Sequence, residues 1–213
     1  MSVRVQAFEI IRTWLYYTVL NSHYHTDSLP WKAAMISGWG LDQSGKKISK
    51  SRGNYTPPQE IIDRYSADAL RYWAASANLG ANLNYQEKEV AQGVKLCNKL
   101  WNACKFMHLH LESEEAQQMT PASLTNPTDF WILSKLNETV EKATSSFEQY
   151  DFSKARHATD HFFWLDLCDN YLEICKDRLY KPEIYGAGEQ ASARYALQQL
   201  LTAVIKLYAP FVP

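Results

Sequence analysis

The sequence predicts a mainly α-helical protein in which a short α/β segment precedes an antiparallel helical bundle. From Gln86 onward, apolar residues recur every three or four positions, which is typical of long amphipathic helices. Before that point, Ala33–Trp39 is a short apolar run with the length of a buried strand. Hydrophobic residues make up 46% and aromatic residues 13% of the 213-residue chain, which is enough for a core and excludes a disordered protein.

The first 85 residues are predicted to mix helix, strand and loop. Gln6–Leu20 has the apolar spacing of an amphipathic helix, and Asn21–Pro30 is expected to be a loop. Ala33–Trp39 then forms a strand, and Asp42–Gly45 has the residues of a tight turn.

Two short helices are predicted after a polar loop. The first begins at Pro57-Pro58, because proline is favoured in a first helical turn. Ser66 is expected to cap the second, Ala67–Ala77.

The remainder, 86–213, is predicted to be four long helices with short connections. The first helix carries an apolar seam at 4-3-4-3 spacing, formed by Val90, Val94, Cys97, Trp101, Cys104, His108 and Leu111. A linker rich in Ser, Thr, Pro and acidic residues follows at Glu112–Asp129. The other three helical segments are Asp129–Phe147, Phe152–Leu179 and Gln190–Leu207, with a break at Lys181–Gly188.

The charge distribution says more than the net charge of −1. Residues 1–71 hold 9 basic and 6 acidic residues, for +3, whereas residues 72–213 hold 13 and 17, for −4. The near-zero total argues against a purely electrostatic nucleic-acid binder. No stretch approaches the ~20 apolar residues of a membrane-spanning helix.

The cysteines and histidines predict no metal site and no disulfide. Within each pair, Cys97/Cys104 and Cys168/Cys175, the residues are seven apart, or about 10 Å along a helix, which is too far for a disulfide. Neither pair is a zinc-binding C-x-x-C element, so core thiols in a reducing compartment are the favoured interpretation. His157 and His161 could share a helical face, but further ligands are lacking.

The polar loop Lys46–Asn54 is the strongest local signal. It places four cations within seven residues, interleaved with Ser49 and Ser51 and followed by Gly53. Such a segment suits a polyanion such as a triphosphate, because ammonium groups, hydroxyls and backbone N–H groups all bind phosphate oxygens. A solvated basic loop, or a patch that touches RNA backbone, is the alternative. The residues of a P-loop are absent from the sequence.

Lys47-Ile48-Ser49-Lys50-Ser51 resembles the KMSKS signature of class I aminoacyl-tRNA synthetases, with Ile48 in the place of methionine. Other segments extend this resemblance to the valyl-tRNA synthetase family over essentially the whole chain. They are Glu9–Trp14, Arg52–Asn54, Ala67–Arg71, Asn98–Ala103 and Phe163–Glu173.

The resemblance implies the end of a Rossmann-like catalytic domain at residues 1–85 and a helical anticodon-binding domain, truncated at its C-terminus, at residues 86–213. Such an enzyme uses ATP, with Mg²⁺, to convert valine to valyl-adenylate and then transfers the valyl group to tRNA(Val). The partner signature H-I-G-H and the editing domain are absent from the sequence. We therefore expect an internal fragment that is inactive alone and binds no cofactor within itself. A cytoplasmic monomer without membrane contact is expected.

The resemblance also implies roles for individual residues. Lys47 and Lys50 would stabilise the leaving pyrophosphate, and Ser49 and Ser51 would help to bind ATP. Two further positions, Glu9 and Ile10, match residues that in relatives face the aminoacyl-adenylate. For these two, a first-turn acid and a helix-core residue are the alternative interpretations.

Two other functions remain open from the sequence. One is a stand-alone helical RNA-binding or scaffold protein whose basic loop touches phosphate. The other is a different KMSKS-bearing nucleotidyl transferase, similar to pantothenate synthetase, which the long bundle disfavours. Most bundle aromatics are expected in the core, with one or two free to stack on anticodon bases. They are Trp101, Phe130, Trp131, Phe162, Phe163, Trp164 and Tyr171.

Overall fold

The structure, a computed structural model, describes residues 1–112 and 119–213 and is mainly helical. The predicted linker Glu112–Asp129 lies partly outside the described residues, and its described end contains a short 3₁₀ turn, Pro121–Ser123.

The N-terminal segment begins with a strand. Strand β1 (Val3–Ala7) pairs in parallel with β2 (Ala33–Ser37), in a register that places Val3 opposite Ala33. The predicted strand at Ala33–Trp39 is confirmed, whereas the predicted helix start at Gln6 is wrong, because alternating Val3–Ala7 residues find a partner strand about 30 residues away in the sequence.

A long helical segment follows β1. It starts with a 3₁₀ turn at Phe8–Ile10, passes through a π turn at Ile11–Leu15 and continues as α1 (Tyr16–Thr26). The predicted loop Asn21–Pro30 is therefore wrong over its first part. The helix ends only where Asp27 adopts a left-handed conformation, φ 49°, and donates its N–H to the His23 carbonyl at 2.9 Å.

A second parallel pair, β3 (Gly40–Leu41) with β4 (Leu83–Asn84), borders the polar loop. Between them lie α2 (Pro58–Tyr65) and α3 (Ala67–Ala74). The Ser66 cap is confirmed, since its Oγ accepts the Ala69 N–H at 3.2 Å. The α3 helix ends at Ala74 rather than Ala77, because the N–H groups of Ser76 and Ala77 bond three residues back.

Helix α4 (Glu87–Leu109) packs against α3 with a face that matches the predicted seam at Val90 and Val94 and departs from it further along the helix. Its buried residues are Val90, Gly93, Leu96, Ala103 and Met107. Trp101 of the predicted seam is 73% exposed. The prediction followed the large apolar residues and missed the close approach of the two helices at a small one: a Cβ on Gly93 would lie 2.7 Å from the Cα of Ala69.

The bundle continues close to the predicted bounds. Helix α5 spans Pro127–Glu148. After it, α6 (Phe152–His161), a π-helical segment (Phe162–Tyr171) and α7 (Leu172–Tyr180) form one continuous helix. A single turn, α8 (Pro182–Tyr185), lies in the predicted break and leads into α9 (Ala187–Tyr208).

The core of the bundle contains the aromatic residues Phe162, Phe163, Tyr171, Tyr208 and Phe211. The prediction of core positions is confirmed for Phe162, Phe163 and Tyr171. It is wrong for the exposed Trp101, Phe130 and Trp131. All four cysteines are free; Cys168 and Cys175 are buried, and the other two are partly buried.

A buried ionic cluster ties three helices of the bundle together. Asp129 of α5 accepts hydrogen bonds from Arg178 of α7 at 2.6 and 2.8 Å. The same carboxylate accepts the Ser192 hydroxyl of α9 at 2.6 Å and the Tyr171 hydroxyl at 2.7 Å. Asp129 and Ser192 are fully buried and Arg178 nearly so, so each charged or polar atom of the cluster depends on the others.

Helix α3 joins the first segment to the bundle. The Tyr72 and Tyr208 hydroxyls both donate to Asp160, at 2.6 and 2.9 Å. Arg71 donates to the carbonyl oxygens of Phe211 and Pro210, at 3.2 and 3.1 Å. Among the described residues, no helix is long and apolar enough to cross a membrane.

Candidate functional site: the lysine loop

The basic loop is anchored to strand β3 at its first half. The predicted tight turn is confirmed, since the Gly45 N–H donates to the Asp42 carbonyl at 2.9 Å. Lys47 forms an antiparallel bridge with Leu41, and the Ile48 N–H donates to the Gly40 carbonyl at 3.0 Å. The second half then leaves the strand as a 3₁₀ turn, Lys50–Arg52, which ends at Gly53 with φ +69°.

Asp42 and Asn54 connect the two ends of this loop. The Asn54 amide donates to Asp42 Oδ2 at 2.7 Å and to the Lys47 carbonyl at 3.1 Å, and its Oδ1 accepts the Ser49 N–H at 2.9 Å. Asp42 Oδ1 accepts the backbone N–H groups of Ser44 and Lys46, each at 2.9 Å. These hydrogen bonds, first that from Asn54, hold the pKa of Asp42 well below its usual range.

Lys47 reaches across to the first helical turn. Its Nζ lies 2.6 Å from Oε1 and 2.7 Å from Oε2 of Glu9, which is 38 positions earlier in the chain. The same ammonium lies 4.9 Å from the centroid of the Trp39 ring. The hydrogen bond from Lys47 lowers the pKa of Glu9. The structure thus brings together two of the residues that the sequence proposed for the site.

The other proposed residues are arranged around this pair. Lys50 is exposed, and its Nζ lies 5.3 Å from the centroid of the Tyr55 ring. The Ser49 and Ser51 hydroxyls are hydrogen-bonded to each other at 2.8 Å. Ile10 is half-buried beside Glu9 in the 3₁₀ turn.

Ile48 lines a cavity of about 520 Å³ beside the loop. The cavity is lined by Tyr55, Ile61, Leu70 and Trp73, among other residues, so the loop rests on an apolar floor provided by α2 and α3.

Sequence reasoning missed the functions that Asp42, Asn54 and Trp39 have around the loop. Asp42 was predicted only as a turn residue, and Trp39 only as the end of a strand. A pattern that could have pointed to the pair is an Asp-x-x-Gly turn followed by a Gly-Asn dipeptide on the far side of the lysines.

The part of the chain that the structure describes brings no three histidine, cysteine, aspartate or glutamate side chains together in a metal-binding arrangement.

Two protein-family models match the chain in succession. Residues 1–86 match "tRNA synthetases class I (I, L, M and V)", and residues 129–213 match "Anticodon-binding domain of tRNA ligase".

Curated relatives are similar over the whole chain. The valine–tRNA ligase of Rickettsia conorii is 42% identical over 219 residues, covering 100% of this chain and 27% of its own length. That of the Wolbachia strain from Brugia malayi is 44% identical, covering 99% of this chain and 24% of its own length. The chain thus spans about a quarter of the length of these relatives.

Solved structures share the fold at lower identity. The LeuRS–tRNA–LeuAMS ternary complex of Agrobacterium radiobacter K84 matches with a TM-score of 0.73 at 20% identity, covering 100% of this chain and 25% of that one. Mycobacterium tuberculosis methionyl-tRNA synthetase, in complex with methionyl-adenylate, matches with a TM-score of 0.79 at 17% identity, covering 100% and 42%. Together, these similarities place the chain in the class I aminoacyl-tRNA synthetase family, with the valine–tRNA ligases as its whole-chain relatives.

Proposed function

We propose that this chain is the part of a valine–tRNA ligase that supplies the pyrophosphate-stabilising loop and the anticodon-binding bundle. The observation that carries the proposal is the meeting of Lys47 with Glu9, which joins the lysine loop to the segment expected to face the adenylate. The whole-chain similarity to valine–tRNA ligases supports it. ATP, valine and tRNA(Val) are the proposed substrates, and a cytoplasmic monomer is the proposed form.

The proposed chemistry is attack of the valine carboxylate on the α-phosphorus of ATP. Negative charge then builds on the departing pyrophosphate, and cations placed on those oxygens stabilise the transition state more than the ground state. Lys47 and Lys50 are the proposed catalytic cations. Ser49 and Ser51 are proposed to contribute hydroxyl donors to ATP.

The two lysines start from different positions. Lys47 is paired with Glu9, so it exchanges a carboxylate for a phosphate oxygen when ATP binds. Lys50 stands on the exposed turn that ends at Gly53, so it approaches the phosphates by movement of that turn. Glu9 and Ile10, which share the 3₁₀ turn, are proposed to line the adenylate side of the site.

The bundle is proposed to bind the anticodon side of tRNA(Val). The proposed catalytic part is residues 1–85, and the proposed anticodon-binding part is residues 86–213. Two exposed aromatic residues of the bundle, Trp101 and Phe130, are available for stacking on unpaired bases. Arg178 is not available for phosphate because it is buried against Asp129.

The decisive test is ATP–pyrophosphate exchange by a full-length valine–tRNA ligase that carries this chain at the matching position. Lys50→Ala is expected to lower valine-dependent exchange by at least about 100-fold, as loss of a transition-state contact does. Binding of tRNA(Val) should change by less than about threefold. The matched control is Lys46→Ala, an exposed cation of the same loop. Exchange within a few-fold of the parent enzyme for both Lys47→Ala and Lys50→Ala would refute the proposed catalytic role.

A further inference from the structure

The backbone of the lysine loop is held from inside by one amide side chain. The Asn54 side chain donates to the Lys47 carbonyl and accepts the Ser49 N–H, so it is hydrogen-bonded to the backbone on both sides of Ile48. Among the described residues, no other side chain bonds to both positions. Between them, the Ile48 N–H is bonded to Gly40 of strand β3. The stretch Lys47–Ser49 is therefore fixed at successive backbone groups.

Asn54 is in turn held by Asp42. The second donor position of the Asn54 amide points at Asp42 Oδ2, at 2.7 Å. The other carboxylate oxygen of Asp42 is occupied by the backbone of Ser44 and Lys46 and by the Ser44 hydroxyl. Because an ionised carboxylate accepts stronger hydrogen bonds than a neutral group, the turn orients Asp42 and Asp42 orients Asn54.

We infer that Asp42 and Asn54, here called the Asp42–Asn54 clasp, are positioning residues that fix the backbone of Lys47 and thereby aim its ammonium group at the pyrophosphate site. The inference rests on the function proposed above. The hydrogen bonds of the clasp to the loop end at Ser49, so it divides the signature into a held half, Lys47–Ser49, and a projecting turn, Lys50–Arg52. Lys47 is thus the stationary cation and Lys50 the arriving one.

The first test uses Asn54→Asp, which keeps the shape of the side chain but places a carboxylate against the carboxylate of Asp42. In the full-length ligase carrying this chain, we expect kcat for ATP–pyrophosphate exchange to fall about 10- to 100-fold, because small misplacement of a catalytic group has such effects. The KM for valine should stay within about twofold of the parent value, since the clasp has no proposed contact with valine. Gln43→Ala, an exposed residue of the same turn, is the matched control.

A double-mutant cycle separates positioning from general structural damage. If Asn54 acts through Lys47, Asn54→Ala should cost less than about threefold once Lys47 is already alanine. If Asn54→Ala lowers the activity of Lys47→Ala by the same factor as it lowers that of the parent enzyme, the inference is overturned. The exchanged pair Asp42→Asn with Asn54→Asp keeps one link between the two positions and should recover at least about threefold of the activity lost in Asn54→Asp.

Amide hydrogen exchange gives a readout that does not depend on activity. In Asn54→Ala and in the milder Asn54→Ser, the Ser49 amide should exchange at least about tenfold faster, while the Ala69 amide keeps its rate. Unchanged protection of Ser49 in both variants would overturn the clasp. If Lys47→Ala and Lys50→Ala lose ATP–pyrophosphate exchange activity but Asn54→Asp keeps it, the inference fails and the proposed function stands. If both lysine variants keep ATP–pyrophosphate exchange activity, the proposed function itself fails.

Discussion

Glu9 and Lys47 form a bidentate ion pair across 38 positions of sequence, with both carboxylate oxygens within 2.7 Å of the ammonium. The pair ties the first helical turn after β1 to the loop after β3. Each side chain is about two-fifths exposed, so the contact is open to an incoming anion. A phosphate group can therefore compete for Lys47 without unfolding any part of the core.

Replacing Glu9 should expose Lys47 to modification. In Glu9→Gln, the shape of the side chain is retained but the ion pair is lost. We expect acylation of Lys47 by an N-hydroxysuccinimide ester, followed by mass spectrometry, to become about two- to fivefold faster, as suits a half-exposed ion pair. Lys46, which is exposed in the same loop, is the internal control. Equal acceleration at both lysines would show that the whole loop has loosened instead.

The cluster around Asp129 should dominate the stability of the bundle. Asp129→Asn breaks the buried pair with Arg178 and leaves that charge only the more distant Glu189 carboxylate, whose Oε2 lies 3.5 Å from Nη1; breaking a buried pair costs about 3–5 kcal/mol. Urea unfolding monitored by circular dichroism measures the change in the free energy of unfolding. Asp177→Asn, which removes an exposed partner of Lys181, is the control and should have little measurable effect. Equal effects of the two substitutions would contradict the assigned importance of the cluster.

Gly93 should tolerate no side chain, because α3 and α4 touch there. A Cβ would lie 2.7 Å from the Ala69 Cα and 2.8 Å from its carbonyl oxygen. Gly93→Ala is expected to lower the free energy of unfolding by about 1–3 kcal/mol, the usual cost of overpacking. Gly188→Ala is the matched control, since Gly188 lies near the start of α9 with open space around it. There the same change should be neutral or stabilise by up to about 1 kcal/mol.

The buried thiols should make the bundle less stable at alkaline pH. Burial raises the pKa of Cys168 to about 11 and that of Cys175 to about 12. The unfolded chain loses these protons near pH 8.5, whereas the folded chain keeps them, so stability falls as pH rises from about 8.5 towards 11. Urea unfolding at pH 8 and pH 10 should show this fall, and Cys175→Ala should reduce it. An identical pH dependence in the variant would contradict the assignment.

Binding of tRNA(Val) should depend on salt, because a chain of near-zero net charge must rely on a few placed phosphate contacts. We expect affinity, measured by filter binding, to fall about tenfold or more between 50 and 200 mM salt. A salt-independent affinity would count against phosphate contacts. Trp101→Ala, which alters an exposed aromatic residue, should weaken binding without changing the salt slope if the residue stacks on a base.

The elements with strong local signals were predictable from the sequence. The Pro58 start of α2, the Ser66 cap and the helices from Asp129 onward lie within a few residues of their predicted positions, because proline, caps and long apolar periods act locally. Strand β1 was missed since a five-residue alternation becomes a strand only through its partner β2. The seam of α4 was misplaced beyond its first turns since Gly93 and Ala103, which carry little hydrophobic signal, lie on the buried face with Leu96 and Met107.

The candidate site shows the same division. The lysines and serines of the loop were identified from their order in the chain alone. The functions of Asp42 and Asn54 were not identified, because these residues meet through backbone turns that no short motif encodes. Glu9 was proposed from the resemblance, but its pairing with Lys47 depends on the fold. Residue identity predicts the chemical groups that are available, whereas their arrangement depends on folding.

Helix α3 contacts two different neighbourhoods from positions two residues apart. Leu70 lines the cavity beneath the loop, whereas Tyr72 is bonded to Asp160 and packs in the core of the bundle. Substitutions at these two positions should therefore be constrained by different neighbouring residues. Among homologues, replacement of Tyr72 should be accompanied by changes at Asp160 or Tyr208, while Leu70 should vary together with Ile61. One short helix would then contain two independent sets of covarying positions, one for each half of the chain.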